Sequence, residues 1–190
     1  MVAGAAAAVL GCILVFIHFA WTEERNIAAQ NFAKTEEEKE AEKVKVTDRL
    51  RGLCSRREYC VEDVRQKAVK ALDGDVTAAA EVVETLVKEK YVAALRYASA
   101  FARDKASIQG WGEVKIRYML SAKKVSREVI DQALGEIDAE RASLKLQKLL
   151  ETKYKSLRED PQCRLKLLRF ALGRGYGYDE VNSIVSQLIK

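Results

Sequence analysis

Proline is almost missing from this sequence. Pro161 is the only one in 190 residues, and with ten glycines and abundant Ala, Leu, Glu, Lys and Arg this scarcity predicts helix nearly throughout. Histidine is as rare: the single one, His18, lies in an apolar run far upstream, so no His is available for a catalytic triad in the helical body. The four cysteines, at 12, 54, 60 and 163, form no C-x-x-C pair, and Cys54-x5-Cys60 is a poor zinc half-site. Neither a metal nor a cofactor is expected, and the thiols read as reduced ones in a cytoplasmic protein. There is no glycine-rich phosphate loop. The paired carboxylates Glu62-Asp63 and Asp179-Glu180 sit where helices begin, a position that calls for acidic residues without any catalysis. The sequence does not read as an enzyme.

Charge is unevenly spread. Residues 1–43 hold 4 of the basic and 7 of the acidic side chains, so the net +5 of the chain understates the basicity of residues 44–190. That excess favours an anionic partner, although Lys/Arg-rich helix exteriors also serve solubility alone. Val2 to Trp21 contains no charged residue, long enough for a helix that just spans a bilayer. No Lys or Arg precedes it and Glu23-Glu24 comes directly after, so residues 1–21 are either a membrane anchor or an artefact of the assigned start. Residues 22–43, rich in Glu, Lys, Ala and Gln without an apolar stripe, read as a solvated helix or tether. The folded domain is expected over 44–190.

Within it the most informative stretch is Gly110 to Leu134. Ile116, Met119 and Leu120 share one helical face while Trp111, Val114 and Tyr118 occupy the opposite one, which predicts a helix packed on both sides. Ser126 then caps a second helix with Glu128 in its first turn and Ile130, Ala133, Leu134 and Ile137 on one stripe, a helix-turn-helix-like unit. Similar stripes recur at Val61–Leu72, at Ala79, Val82, Val83, Leu86 and Val87 behind a cap at Thr77, and at Val181, Ile184, Val185, Leu188 and Ile189. Pro161 opens a helix through Leu165, Leu168, Phe170 and Leu172. The fold expected is all-α, a tandem array of three three-helix repeats at about 44–90, 91–138 and 139–190. An internal match supports the repeat: Arg57-x-Tyr59 leads to Val64 as Arg174-x-Tyr176 leads to Val181, and Trp111 stands five residues before Ile116.

Four segments, SRREYCVEDVRQKAVKAL (55–72), KEKYVAALRYASAFARDK (88–105), GWGEVKIRYMLSAKKVSREVIDQAL (110–134) and LLRFALGRGYGYDEVNSIV (167–185), resemble the RecX family in order and content. The third is the most specific, at Gly112, Ile116, Arg117, Leu120, Lys123 and Val125. It departs at Lys124, where the family usually has glycine, and Val92-Ala93-Ala94 replaces acidic residues ahead of Arg96-Tyr97-Ala98. The resemblance implies an elongated crescent without catalytic activity. It also implies a cytoplasmic regulator in DNA repair, recombination and the SOS response, which binds the RecA filament and inhibits its ATPase, strand-exchange and coprotease activities.

Arg57, Arg65, Arg103, Lys115, Arg117, Lys123, Lys124 and Arg174 flank the aromatic turns and are the expected contacts with an acidic partner; the competing reading makes them solvated exteriors, with Arg57 and Arg174 holding turns through backbone carbonyls. Two further functions stay open. One is a DNA-binding helical module whose recognition helices read bases, against which the spread of basic residues over all three repeats counts; the other is an adaptor anchored in the inner membrane. Beside RecA, single- or double-stranded DNA is at most a weak further partner. A monomer is expected. Removal of residues 1–43 is predicted to leave a folded helical protein with inhibitory activity intact; circular dichroism and a RecA ATPase assay on the fragment check this, and an aggregated or inactive fragment is the contrary result.

Overall fold

The structure, a computed structural model, describes residues 35–189. The apolar segment expected at 1–21 lies outside them, as does most of the charged tether. Among the described residues there are nine helices and no strand, and no helix is long and apolar enough to cross a membrane. The chain divides into two units between Val46 and Thr47, inside the first helix, α1 (residues 35–54). In the first unit, residues 35–46 are mostly exposed and carry ion pairs one turn apart, Lys39–Glu36 and Lys43–Glu40.

The second unit contains the remainder. Its helices are α2 (Val61–Ala71), α3 (Val76–Lys88), α4 (Ala94–Ser107), α5 (Glu113–Ala122), α6 (Arg127–Gly135), α7 (Ala139–Lys155), α8 (Cys163–Leu172) and α9 (Tyr178–Leu188). They pack as sets: α2 on α3, α4 with α5 and α6, and α7 with α8 and α9, with α4 against α7 joining the second set to the third. The core of the second set is Ala98, Ala102 and Ala106 on α4, Ile116 and Leu120 on α5, and Ile130 and Ala133 on α6. Three alanines at successive turns let α6 lie close against α4. Leu146, Leu150, Cys163, Leu167, Ala171, Tyr176, Val181 and Val185 fill the third set.

Side-chain caps mark four of the eight helix starts from α2 to α9. The Cys60 thiol accepts from Asp63 N at 3.3 Å, Ser126 Oγ from Val129 N at 3.4 Å as expected, and Asp138 from Arg141 N at 3.0 Å. The cap of α3 is Asp75, which accepts from Ala78 N at 2.9 Å; the expected cap, Thr77, lies one residue inside the first turn. Helix α5 begins at Gly112 with no capping side chain. Its leading N–H groups are taken up by another set instead: Gly112 N donates to Arg174 O at 2.9 Å and Val114 N to Gly175 O at 3.1 Å. The turn between α8 and α9 therefore caps α5.

Three expectations change. Val114 and Tyr118 are 63% and 71% exposed, so α5 is packed on one face only; three apolar residues over two turns were too few to mark a second buried stripe. Helix α8 starts at Cys163, two residues after the expected opener Pro161, and buries Cys163, Leu167 and Ala171 against α7 and α9, while Leu165 and Leu172 of the expected run stay exposed on its other sides. The matched motif also differs in place. Tyr59 and Trp111 precede the second helix of their sets, whereas Tyr176 precedes the third. Its true counterpart is Val125: Val125 N donates to Leu120 O and Tyr176 N to Ala171 O, each five residues back, and Val181 corresponds to Ile130.

The contact between the α5 start and the α8–α9 turn leaves no room for a side chain. A Cβ at Gly112 would stand 2.3 Å from Gly175 O, and one at Gly175, where φ is +87°, would stand 2.4 Å from Lys115 N. Gly112→Ala is predicted to lower stability by about 1–3 kcal/mol through overpacking against backbone. Gly135→Ala, at the end of α6 with nothing within 4 Å, should raise it by about 0.5–1 kcal/mol. Urea unfolding of both variants checks the pair; equal effects would mean that the junction tolerates a side chain.

Candidate partner-binding surface

The basic residues singled out by sequence occupy two kinds of environment. The first is the ion pair. Lys123, at the end of α5, donates to both carboxylate oxygens of Asp63 at 2.7 and 2.9 Å, and Lys124 reaches Glu62 at 3.2 Å. Glu62 also takes Arg65, one turn further along α2. Arg117 lies between Glu113, at 2.9 Å, and Asp131. These contacts fix the α5–α6 turn onto the start of α2, the relation in which the α8–α9 turn stands to α5. Lys124 has φ +57°, the left-handed backbone that glycine adopts without strain, so the family's usual glycine and this lysine serve the same turn.

The second environment is the aromatic face. The Arg57 guanidinium stands 4.4 Å from the centre of the Tyr59 ring, with Lys67 at 5.6 Å. Lys115 and Lys105 lie 4.5 and 4.9 Å from Trp111, and Arg174 and Lys153 lie 4.7 and 5.9 Å from Phe170. Each set thus carries a half-buried ring with two cations over it, and in the second set Lys105 also lies 5.3 Å from the centre of the Phe101 ring. None of these six cations is in an ion pair among the described residues. A ring holds a cation in place but leaves its net charge uncancelled. Arg174 also donates to Gln109 O at 3.0 Å, so it does hold a turn, though one in the second set and not its own. Lys115 makes a long contact, 3.5 Å, with Gly173 O.

Sequence reasoning named Arg57, Lys115 and Arg174 here and passed over Lys67, Lys105 and Lys153. Their signal was present: Lys105 lies one helical turn beyond Phe101, and Lys67 lies eight residues after Tyr59. The arginine of the Arg96-Tyr97-Ala98 motif has an internal task, pairing with Glu58 and donating to Lys90 O and Tyr91 O at 3.1 Å. Arg103 is exposed and stands at the mouth of a cavity of about 420 Å³ between α4 and the start of α7.

Electrostatics follow the pairing. Gln66, Arg65 and Lys124 hold the Glu62 carboxyl below the ordinary range. Burial alone would push Asp63 up, but hydrogen bonds from Lys123 and Cys60, with the Lys123 charge, bring it below its usual value. Lys123 is raised in turn, chiefly by its hydrogen bond to Asp63. A depressed carboxyl stabilises the fold above its unfolded pKa, about 4, and that contribution is lost as pH falls through the lower folded value. The raised lysine stabilises below its own unfolded value, about 10.4, and its contribution is lost as pH rises through the folded one. The parent's urea midpoint is therefore predicted to fall below about pH 4. Asp63→Asn should start lower at pH 7 and fall less steeply; parallel curves would mean that Asp63 contributes nothing through its charge.

Known proteins resemble the chain both in sequence and in fold. The family model described as "RecX, second three-helix domain" matches residues 95–134, which run from Leu95 in α4 to Leu134 in α6. A regulatory protein RecX of Clostridium botulinum (strain Alaska E43 / Type E3) is 30% identical over 167 residues, covering 81% of this chain and 78% of that protein. Another, from Clostridium botulinum (strain Eklund 17B / Type B), is 41% identical over 97 residues; that match takes in 49% of this chain and 45% of the relative's length. Among solved structures, a crystal structure of regulatory protein RecX superposes with a TM-score of 0.70 at 19% identity, over 78% of this chain and 73% of that one.

Proposed function

The chain belongs to the RecX family, and on that premise we propose that it binds the RecA recombinase, or its filament on DNA, and restrains the filament's ATPase, strand-exchange and coprotease activities. It does so by binding in the cytoplasm, as a regulator of repair and recombination with no chemistry of its own. The observation that carries this reading to a surface is the set of cations held over aromatic rings, one pair in each three-helix set. Arg57, Lys105, Lys115 and Arg174 are the leading contacts, with Arg103 beside them. Arg65, Arg117, Lys123 and Lys124 brace the fold, since their charges are met by carboxylates of the chain itself. Repeating units favour a partner that repeats too, and contacts distributed over three sets suit a filament.

The same rings support a second reading, direct contact with single-stranded DNA, because half-buried aromatics between cations can meet both bases and phosphates. One experiment separates the two. The double variant Lys105→Gln, Lys115→Gln is assayed for inhibition of RecA ATP hydrolysis and for binding to a bare labelled oligothymidylate, at low and high salt. Two surface contacts of up to about 1 kcal/mol each predict a loss of inhibition of about tenfold, and at most about thirtyfold, at low salt, shrinking as salt rises. A folded variant that inhibits like its parent at both salts removes this surface from the RecA reading. Loss confined to the oligonucleotide favours the second reading.

A further inference from the structure

The cavity between α4 and α7 has features that the ring-bound cations do not explain. Its walls are aliphatic: Ala106 on α4, Ala133 at the end of α6, Ile137 in the following turn and Ala142 on α7. Ser99 also faces it, and the Ser99 hydroxyl is buried without any hydrogen-bond partner. That hydroxyl has almost no accessible surface, so it is out of reach of a group seated in the cavity, and the cavity's character is set by its aliphatic walls and its rim. Three cations stand at the rim. Arg103 and Lys145 are in no ion pair among the described residues, and Arg141 pairs with Asp138 at 3.2 Å while its side chain stays 87% exposed. Of the two rim carboxylates, Asp138 is already occupied in capping α7 and pairing Arg141, which leaves Glu136 against the cations.

These observations define an occupant. A volume of about 420 Å³ lies within the range that bound groups fill. No aromatic ring lines the cavity, so a nucleobase would find nothing to stack on, whereas methyl walls suit an aliphatic side chain. A positive rim suits a carboxylate beside it. We propose that this cavity receives an aliphatic side chain of the protein partner, of leucine or methionine size, flanked by a carboxylate that meets Arg103 and Lys145. The site lies where the second set meets the third, so its occupation also couples the two.

This rests on the RecA reading above, and the test keeps the two apart. Ala142→Phe fills the cavity from its α7 wall; Ala142→Leu fills it in part. Both are compared with the parent for inhibition of RecA ATP hydrolysis, with circular dichroism and urea unfolding as controls. Ala142→Phe should raise the half-inhibitory concentration by about tenfold or more, equally at low and high salt, because the block is steric. Ala142→Leu should weaken inhibition by about three- to tenfold while leaving the urea midpoint unchanged or higher, since added methyl groups fill open space beside apolar walls. A substitution that only disturbed the fold would lower inhibition and stability together. If Ala142→Phe fails to fold, Ala142→Leu decides alone. A parent that inhibits beside equally effective folded variants overturns the cavity and leaves the RecA reading intact; a parent without effect on RecA overturns both.

Discussion

The arrangement of the second and third helix sets depends on one backbone contact, the two hydrogen bonds by which the α8–α9 turn caps α5. A helix start exposes N–H groups that must find acceptors, and the end of another helix exposes carbonyls that must find donors. Bringing α5 and α8 together satisfies both at once. It requires backbone atoms to approach within hydrogen-bond distance, which is why Gly112 and Gly175 carry no side chain at the point of contact. The equivalent contact between the first and second sets uses side chains: Asp63 and Glu62 at the start of α2 meet Lys123 and Lys124 after α5. One geometric relation is thus realised twice, once with peptide dipoles and once with ion pairs.

That second solution has a consequence for function. Carboxylates of the chain itself meet Arg65, Arg117, Lys123 and Lys124, so these cations contribute little field to an approaching partner. The cations over Tyr59, Trp111 and Phe170 keep their charge and lose part of their conformational freedom to the ring. Net charge alone cannot distinguish the two groups. The distinction is one of partners, and it turns a generally basic chain into one with local, oriented positive sites.

The buried thiols have structural roles: Cys60 acts as a helix cap, and burial pushes Cys54 and Cys60 above the ordinary thiol range, away from the reactive thiolate form. Tyr118 and Val114, left exposed on α5, and the aliphatic cavity beside α7 add apolar area to the surface. Anchors of that kind, surrounded by long cations, are what protein interfaces use.

The helices themselves were legible in the residues: the stripes through Val64, Val82, Ile116, Ile130 and Val181 mark buried faces by period alone, and Ser126 marks a helix start because a side-chain cap is a local device. The RecX resemblance was legible in the same way, being carried by contiguous motifs. What tertiary structure decided is everything that a residue owes to a distant neighbour. The cap of α5 comes from residues some sixty positions further on, and the third copy of the aromatic turn proved to precede α9 instead of α8. Whether a lysine faces a carboxylate or a ring depends on chain elements that pack only after folding. Periodicity reports which side of a helix avoids water; it holds no information about what the other side meets.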